Sequence, residues 1–236
     1  MNDERRQTIL EHLEEFRWRV VKSAVVLLIT SIVAFVFRDW ILDVLVQPYR
    51  DIGGAGELIA LKPTEAFGAA MRIAFFGGVL LASPILLYQI WAFINPALSP
   101  RERRWTIPIV TALVILFLGG VVFAYWILPR GLEFFASVLE VEFRLQITEY
   151  LKFVTMVMLV FGLSFEFPVF LYAAAAAGLI TSEKLAGSRR WAITIIVIVA
   201  AVVTPTGDPY TLLLLSGPLY LLYEITIWLI RWTLRK

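Results

Sequence analysis

The chain has no cysteine and a single histidine, His12. Without thiols it forms no disulfide, iron–sulfur cluster or thiolate metal site, and one imidazole is too few for a histidine-ligated zinc or haem centre. No cofactor is therefore expected. Charge is scarce as well, at 17% of residues against roughly 25% in ordinary globular domains. The net charge of +2 is too small to suggest a nucleic-acid partner. Catalytic signatures are missing. There is no G-x-S-x-G, because Gly162-Leu163-Ser164 runs on into Phe165-Glu166, and there is no H-E-x-x-H and no Walker loop. Asp208 stands alone in Thr206-Gly207-Asp208, and no apolar span offers a second aspartate to share its proton. These absences argue against an enzyme. The chain also lacks an internal repeat or low-complexity segment, which removes support for an inverted-repeat transporter.

What is present is hydrocarbon. Apolar residues make up 60% of the chain and the mean hydropathy is +0.80, beyond the roughly 45–50% apolar content of soluble domains. The reading is an all-α, polytopic membrane protein forming a single domain over 1–236. Its N-terminus does not read as a cleaved signal, because the first nineteen residues carry five acids and the next apolar run ends without a small-x-small site. Ile9, Leu10, Leu13, Phe16 and Val20 recur at helical spacing, which predicts an amphipathic helix lying on the membrane before it turns into the first span. Six spans follow, at 20–37, 67–94, 106–128, 150–177, 191–203 and 211–230.

The sequence between them reads as loops and short surface helices. A polar stretch with Pro48 runs from Arg38 to Glu65, Pro129 closes the third span, and 130–149 forms a surface helix. The fifth span has thirteen residues, about 20 Å of helix against a hydrocarbon core of roughly 30 Å. It and the last span, which is interrupted at Gly217-Pro218, form either a hairpin in thinned bilayer or a re-entrant pair. Both termini fall on one side in either case. Lysines and arginines number 14 on that side and 7 on the other, which predicts cytoplasmic termini by the positive-inside rule.

The polar residues that remain are the candidates for function. The stretch from Ile85 to Trp105 starts as an aromatic-rich apolar helix, stops at Pro96 and turns through Arg101, Glu102, Arg103 and Arg104 into the next span. Such a loop sits at a membrane surface, and Glu102 is its one carboxylate among three arginines. Glu15, ahead of the first span, shares that surface. An i,i+4 pair with Arg19 is one reading of Glu15. The other is that Glu15 and Glu102 together bind two guanidiniums by charge-assisted, bidentate hydrogen bonds. Glu166 lies about 16 Å deep inside the fourth span on helix geometry, two residues before Pro168. It is either a glutamic acid hydrogen-bonded to a neighbouring span or the lining of a polar cavity. Glu224 is either a residue reaching the headgroups or a functional group. Arg72 snorkels, and His12 is a surface residue.

Several motifs, in order and across all six spans, resemble the TatC family, the polytopic core of the twin-arginine protein translocase. His12-Leu13-Glu14-Glu15-Phe16-Arg17-Trp18-Arg19 is similar to the family's H-L-x-E-L-R-x-R, with Phe16 in the leucine position. Pro48, Pro63-Thr64-Glu65-x-Phe67, Ser83-Pro84 and Tyr88-Gln89-x-Trp91-x-Phe93-Ile94-x-Pro96-Ala97-Leu98 lead to Glu102-Arg103-Arg104. Phe123-Ala124-Tyr125, Phe161-Gly162-x-x-Phe165-Glu166-x-Pro168 and Pro218-x-x-Leu221-Leu222-Tyr223-Glu224 complete the series.

The resemblance implies a receptor for the signal peptides of folded export cargo, whose paired arginines are read at the cytoplasmic face. It implies that Glu15, Arg17, Phe93, Leu98, Glu102 and Arg103 surround that peptide, and that Glu166 and Gln89 belong to a polar intramembrane face. Pro48, Thr204, Asp208 and Glu224 are implied to be structural or to dock partners. Leu212 stands where relatives often carry a glutamine. The implied partners are TatA- and TatB-type single-span proteins, the bilayer and further copies of the chain, in the inner membrane of a prokaryote. Transport would draw on the proton-motive force. The rival readings are a small-molecule or ion transporter of unfamiliar type and a ligand-free membrane scaffold.

Overall fold

A computed structural model describes residues 2–52, 58–94, 106–137, 145–176, 178–203 and 209–234. Among them the chain is helical: α1 (Asn2–Val36), α2 (Arg38–Asp51), α3 (Pro63–Ile94), α4 (Thr106–Ser137), α5 (Ile147–Ser164), α6 (Phe167–Ala176), α7 (Ser182–Gly187), α8 (Arg189–Val203) and α9 (Pro209–Leu234). Among the described residues five segments are long and apolar enough to cross a membrane: Leu13–Val36, Pro63–Phe93, Thr106–Phe134, Ile147–Ala176 and Leu212–Leu234. The fifth expected span corresponds to α8, whose 15 residues reach only about 22 Å.

Several expectations change. The N-terminal amphipathic segment and the first span form one helix with no turn between them. The polar stretch after the first span is helical from Arg38 to Asp51, with Pro48 inside α2 and buried beside Leu45, Val46 and Tyr49. Pro129 does not close the third span, because α4 continues to Ser137 and buries Leu132. That extension replaces the first part of the expected surface helix at 130–149, and residues 138–144 lie outside the described ones. Pro218 likewise sits inside an unbroken α9. Proline is tolerated at membrane depth where neighbouring helices and local adjustments satisfy the freed carbonyls. The expected stop of the second span at Pro96 falls outside the described residues.

The chain divides into two compact units. The first comprises residues 1–44 and 67–115. Here α1 packs on α3 through small residues. Thr30 Oγ1 donates to the Gly78 carbonyl at 2.9 Å, and a β-carbon on Gly78 would lie 2.8 Å from the Ser31 Cα. Small residues at such crossings let backbones approach where lipid supplies no hydrophobic drive to associate.

The second unit comprises residues 45–66 and 116–236. Its α4 and α5 touch at Gly120 and Gly162, and Phe123 packs its ring 5.7 Å from both Phe161 and Phe165. At one end, Tyr150 Oη donates to the Leu45 carbonyl at 2.7 Å. A single β-bridge joins Ile59 to Gln146. Glu65 ties this corner together: Oε1 accepts from Gln146 Nε2 at 2.7 Å and Oε2 from the Leu61 N–H at 2.9 Å. At the other end, Gly178 adopts φ 77°, the left-handed conformation that ends helices, and Thr181 caps α7. Ala175, Leu185, Ile227 and Ile230 then close a small core among α6, α7 and α9.

The α4–α5 crossing makes a direct prediction. A β-carbon at Gly120 would meet the Phe161 carbonyl oxygen at 2.6 Å, whereas one at Gly119 would meet nothing within 4 Å. Backbone atoms cannot swing aside, so Gly120→Ala is expected to cost about 1–3 kcal/mol. It should lower the melting temperature of the purified protein by several degrees, and Gly119→Ala should not.

Candidate functional site

In the first unit the chemistry gathers where α1 faces α3. Helix geometry places Glu15 and Arg19 one turn apart on the same face, with the acid N-terminal to the base, which is the favoured order. Arg19 Nε and Nη2 both donate to Glu15 Oε1, at 3.0 and 2.6 Å. Its Nη1 donates across the helix pair to Gln89 Oε1 at 3.1 Å. Two nitrogens of one guanidinium thus engage the carboxylate while a third reaches the other helix. The side chains retain 22% exposure at Arg19 and 35% at Glu15. Phe16, half-exposed, sets its ring 5.4 Å from that of Phe93, an arrangement typical of tilted aromatic pairs. This pins α1 to α3 next to the carboxylate. Arg17 is exposed.

Of the expected peptide-binding residues, the structure brings Glu15 to the α1–α3 contact and packs Phe93 against Phe16, next to Glu15 in the chain. Leu98, Glu102 and Arg103 lie outside the described residues, as do Thr204 and Asp208. Gln89 was expected on a polar intramembrane face, and here its amide oxygen is an acceptor for Arg19. Arg19 is legible in the sequence only as an i,i+4 partner of Glu15. Its reach to Gln89 had no signal in spacing, because the two residues are 70 positions apart.

In the second unit Glu166 occupies the break between α5 and α6. Pro168 has no N–H, and the Glu166 carbonyl accepts from both Val169 and Phe170, so the residue serves as the cap on which α6 begins. Its side chain is 1% exposed. Neither carboxylate oxygen has a hydrogen-bond partner among the described residues. An apolar cleft of about 240 Å³ opens beside it, lined by Ser164, Pro168, Ala192, Val199, Leu219 and Thr226 among others.

The remaining expected residues are structural in their contacts. Glu224 is gripped by Arg189 in a two-pronged pair, Nε to Oε1 at 2.7 Å and Nη2 to Oε2 at 3.0 Å, and accepts from Tyr220 Oη at 2.7 Å. This fastens the start of α8 to α9. Pro48 belongs to the buried face of α2. Among the described residues no cluster of histidine, cysteine or acidic side chains could hold a metal.

A family model described as Sec-independent protein translocase protein (TatC) matches residues 11–218, nearly the whole of the chain and including both Glu15 and Glu166. The chain belongs to the TatC family. The Sec-independent protein translocase protein TatC of Aquifex aeolicus is 38% identical over 234 residues, covering 97% of this chain and 96% of that protein. That of Carboxydothermus hydrogenoformans is 35% identical over 231 residues, covering 96% and 94%. The chloroplastic TATC of Arabidopsis thaliana is 35% identical, covering 98% of this chain and 68% of the longer plant protein. A crystal structure of the twin arginine translocase receptor TatC superposes with a TM-score of 0.86 at 38% identity, covering 94% of this chain and 98% of that one. The protein is thus a membrane component of the Sec-independent translocase family, and that family is one of protein transport and not of enzymes.

The buried glutamate gives the test of this site. An unsatisfied buried polar group costs about 1–3 kcal/mol. Glu166→Leu is therefore expected to raise the melting temperature of the detergent-purified protein, and Glu166→Gln to raise it less. A lower melting temperature in the leucine variant would mean that the carboxyl is hydrogen-bonded.

Proposed function

We propose that this chain is the receptor subunit that binds twin-arginine signal peptides of folded cargo and nucleates their translocation, driven by the proton-motive force. The observation that carries the reading is the carboxylate of Glu15. It already accepts two hydrogen bonds from a guanidinium at a partly exposed helix crossing, next to a phenylalanine pair. A carboxylate so disposed suits an arginine side chain, whose rigid donor fork a lysine ammonium cannot reproduce. Glu102, with Arg103, supplies the second carboxylate from the loop between the second and third spans. Arg17 and Leu98 border the peptide together with Phe93. The three arginines of that loop repel a basic peptide in bulk, so recognition there rests on local geometry.

The receptor has six spans, formed by α1, α3, α4, α5 with α6, α8 and α9, and both termini are cytoplasmic. The lysine and arginine bias of 14 against 7 supports that orientation, and places Glu15 and Glu102 on the face where cargo arrives. The chain works as one domain, in the inner membrane of a prokaryote, with TatA- and TatB-type single-span proteins and further copies of itself. The short α8–α9 hairpin is their docking region. Glu224 holds its frame through Arg189, Thr204 and Asp208 lie in the turn, and Pro48 has a structural role in α2. Glu166 provides a polar group at membrane depth for the inserted signal peptide, and Gln89 supports the recognition crossing through Arg19.

Two experiments test this. Glu102→Ala should weaken photo-crosslinking of a twin-arginine signal peptide to the protein, and replacing the peptide's Arg-Arg by Lys-Lys should do the same. Undiminished crosslinking in both cases would sink the receptor reading. In a separate assay, Glu166→Gln should leave surface recognition intact and slow export of a folded reporter. Normal export in that variant would remove Glu166 from the transport path.

A further inference from the structure

We infer that the cleft between α1 and α3 is a binding site for one phospholipid, which lays an acyl chain along Ile32 and Phe75 and sets its phosphate on Arg72 and Arg38. Only the choice of leaflet depends on the orientation proposed above, and nothing in the site depends on the receptor reading.

The cleft follows from the way the two helices meet. Gly77 and Gly78 bring α3 against Ala34 and Ser31 of α1 and leave no room for a β-carbon. Beside this close crossing lies a cleft of about 500 Å³, lined from α1 by Ala24, Leu28, Ile32 and Phe35 among others. The lining from α3 is Met71, Ala74 and Phe75, all within one turn of Arg72. Leu28, Ile32 and Phe75 are each more than half exposed, so the cleft opens sideways. Along α1 it runs from Ala24 to Phe35, about 16 Å of helix, whereas bilayer hydrocarbon is roughly 30 Å thick. That length decides the occupant. A partner helix would need a groove through both leaflets, while an acyl chain needs the depth of one.

Charge marks the end at which the headgroup sits. Continuing the antiparallel contacts of Thr30 with Gly78 and of Ala34 with Gly77 brings Arg72 level with the end of α1, where Arg38 begins α2. Arg38 lies over the Phe35 ring at 4.9 Å, and its Nη1 donates to the Phe35 carbonyl at 3.3 Å. A guanidinium is thus held on one wall of the cleft. Asp39 stands 3.6 Å from its Nε and offsets part of that charge, so Arg72 matters more. Arg72 is half-buried, and among the described residues it has neither a hydrogen bond nor an ion pair. An arginine in an apolar span without an acceptor points to a partner outside the chain. A phosphodiester supplies oxygens that match the guanidinium fork, and it carries the acyl chain that fits the cleft. Snorkelling into bulk headgroups would ask for no cleft beside the arginine, and here the two coincide.

The test is native mass spectrometry of detergent-purified protein titrated with phosphatidylglycerol, with diacylglycerol of the same chains, and with glycerol phosphate. One phosphatidylglycerol should bind per protein, and each of the other two at least tenfold more weakly. Arg72→Gln should cut the phosphatidylglycerol affinity about tenfold, the factor expected from one charge-assisted hydrogen bond, and leave diacylglycerol unchanged. Ile32→Trp, which fills the cleft from an exposed wall, should weaken phosphatidylglycerol with Arg72 intact. Arg190→Gln, at an exposed position on α8, should change nothing. The ratio of the two lipids is read within one preparation, so a poorly folding variant does not blur it. Equal affinity for diacylglycerol or for glycerol phosphate, or an unchanged phosphatidylglycerol affinity in either cleft variant, would overturn the site. An equal loss in Arg190→Gln would reduce it to bulk charge and overturn it as well. So would a lipid-free dimer that Ile32→Trp dissociates, because a second copy would then cover the cleft.

Discussion

Hydrocarbon around a polypeptide leaves no water to satisfy backbone N–H and C=O groups, and the rest of this structure follows from that constraint. Helix is the cheapest answer, and the chain takes it wherever it can. It carries α3, α4 and α9 straight through prolines and turns the N-terminal segment and first span into one rod. Several hydroxyls in the spans are bonded locally: Thr30, Thr155 and Thr226 each donate to a carbonyl one turn back. Thr30 also reaches the Gly78 carbonyl of the opposing helix. With nothing to gain from hiding leucine from lipid, helices associate through close approach, and the contacts at Gly78 and Gly120 leave no room for a β-carbon.

Against that background a carboxylate is informative by its surroundings, and the two best candidates differ. Glu15 is partly exposed and has a guanidinium on it. Glu166 is buried at a helix break, and among the described residues neither of its oxygens has a hydrogen-bond partner. The first arrangement stabilises charge and suits recognition of a cation. The second leaves an unmet need for hydrogen bonds that water or a polar segment entering the membrane would meet. A buried group of that kind detracts from stability in the resting protein, so a positive role must come from a state in which it is no longer buried.

The helical class and the positions of the long spans could be read from the sequence, because they depend on hydropathy integrated over twenty or so residues. The candidate carboxylates could be read too, since an acid in or beside an apolar run has few bland explanations. Missed features depended on tertiary context. Helix α2 carries Leu42, Leu45, Val46 and Tyr49 at helical spacing, but Pro48 and the surrounding charges outweighed that pattern. It is the buried contact of Tyr49 and Leu45 with Tyr150 that keeps the segment helical. Pro129 reads as a stop in the sequence, yet the turn beyond it buries Leu132 and stacks Phe134 on Tyr210 at 4.1 Å. The Arg189–Glu224 pair is separated by 35 residues, and no local pattern announces it.

Glu15 shows how the two levels combine. From sequence it carried two rival readings, an ordinary i,i+4 ion pair or a receptor carboxylate, and the ion pair is there. Its presence does not remove the receptor reading. Exposed ion pairs of this kind are worth about 0–1 kcal/mol, so a ligand that offers equivalent bonds can replace one partner at little cost. A carboxylate buried under a strong partner would be unavailable, and one with no partner would accept any cation. Glu15 lies between these limits. The third bond of Arg19, to Gln89 on α3, ties the weak pair to the helix crossing, so any ligand that changes the pair also acts on the α1–α3 contact.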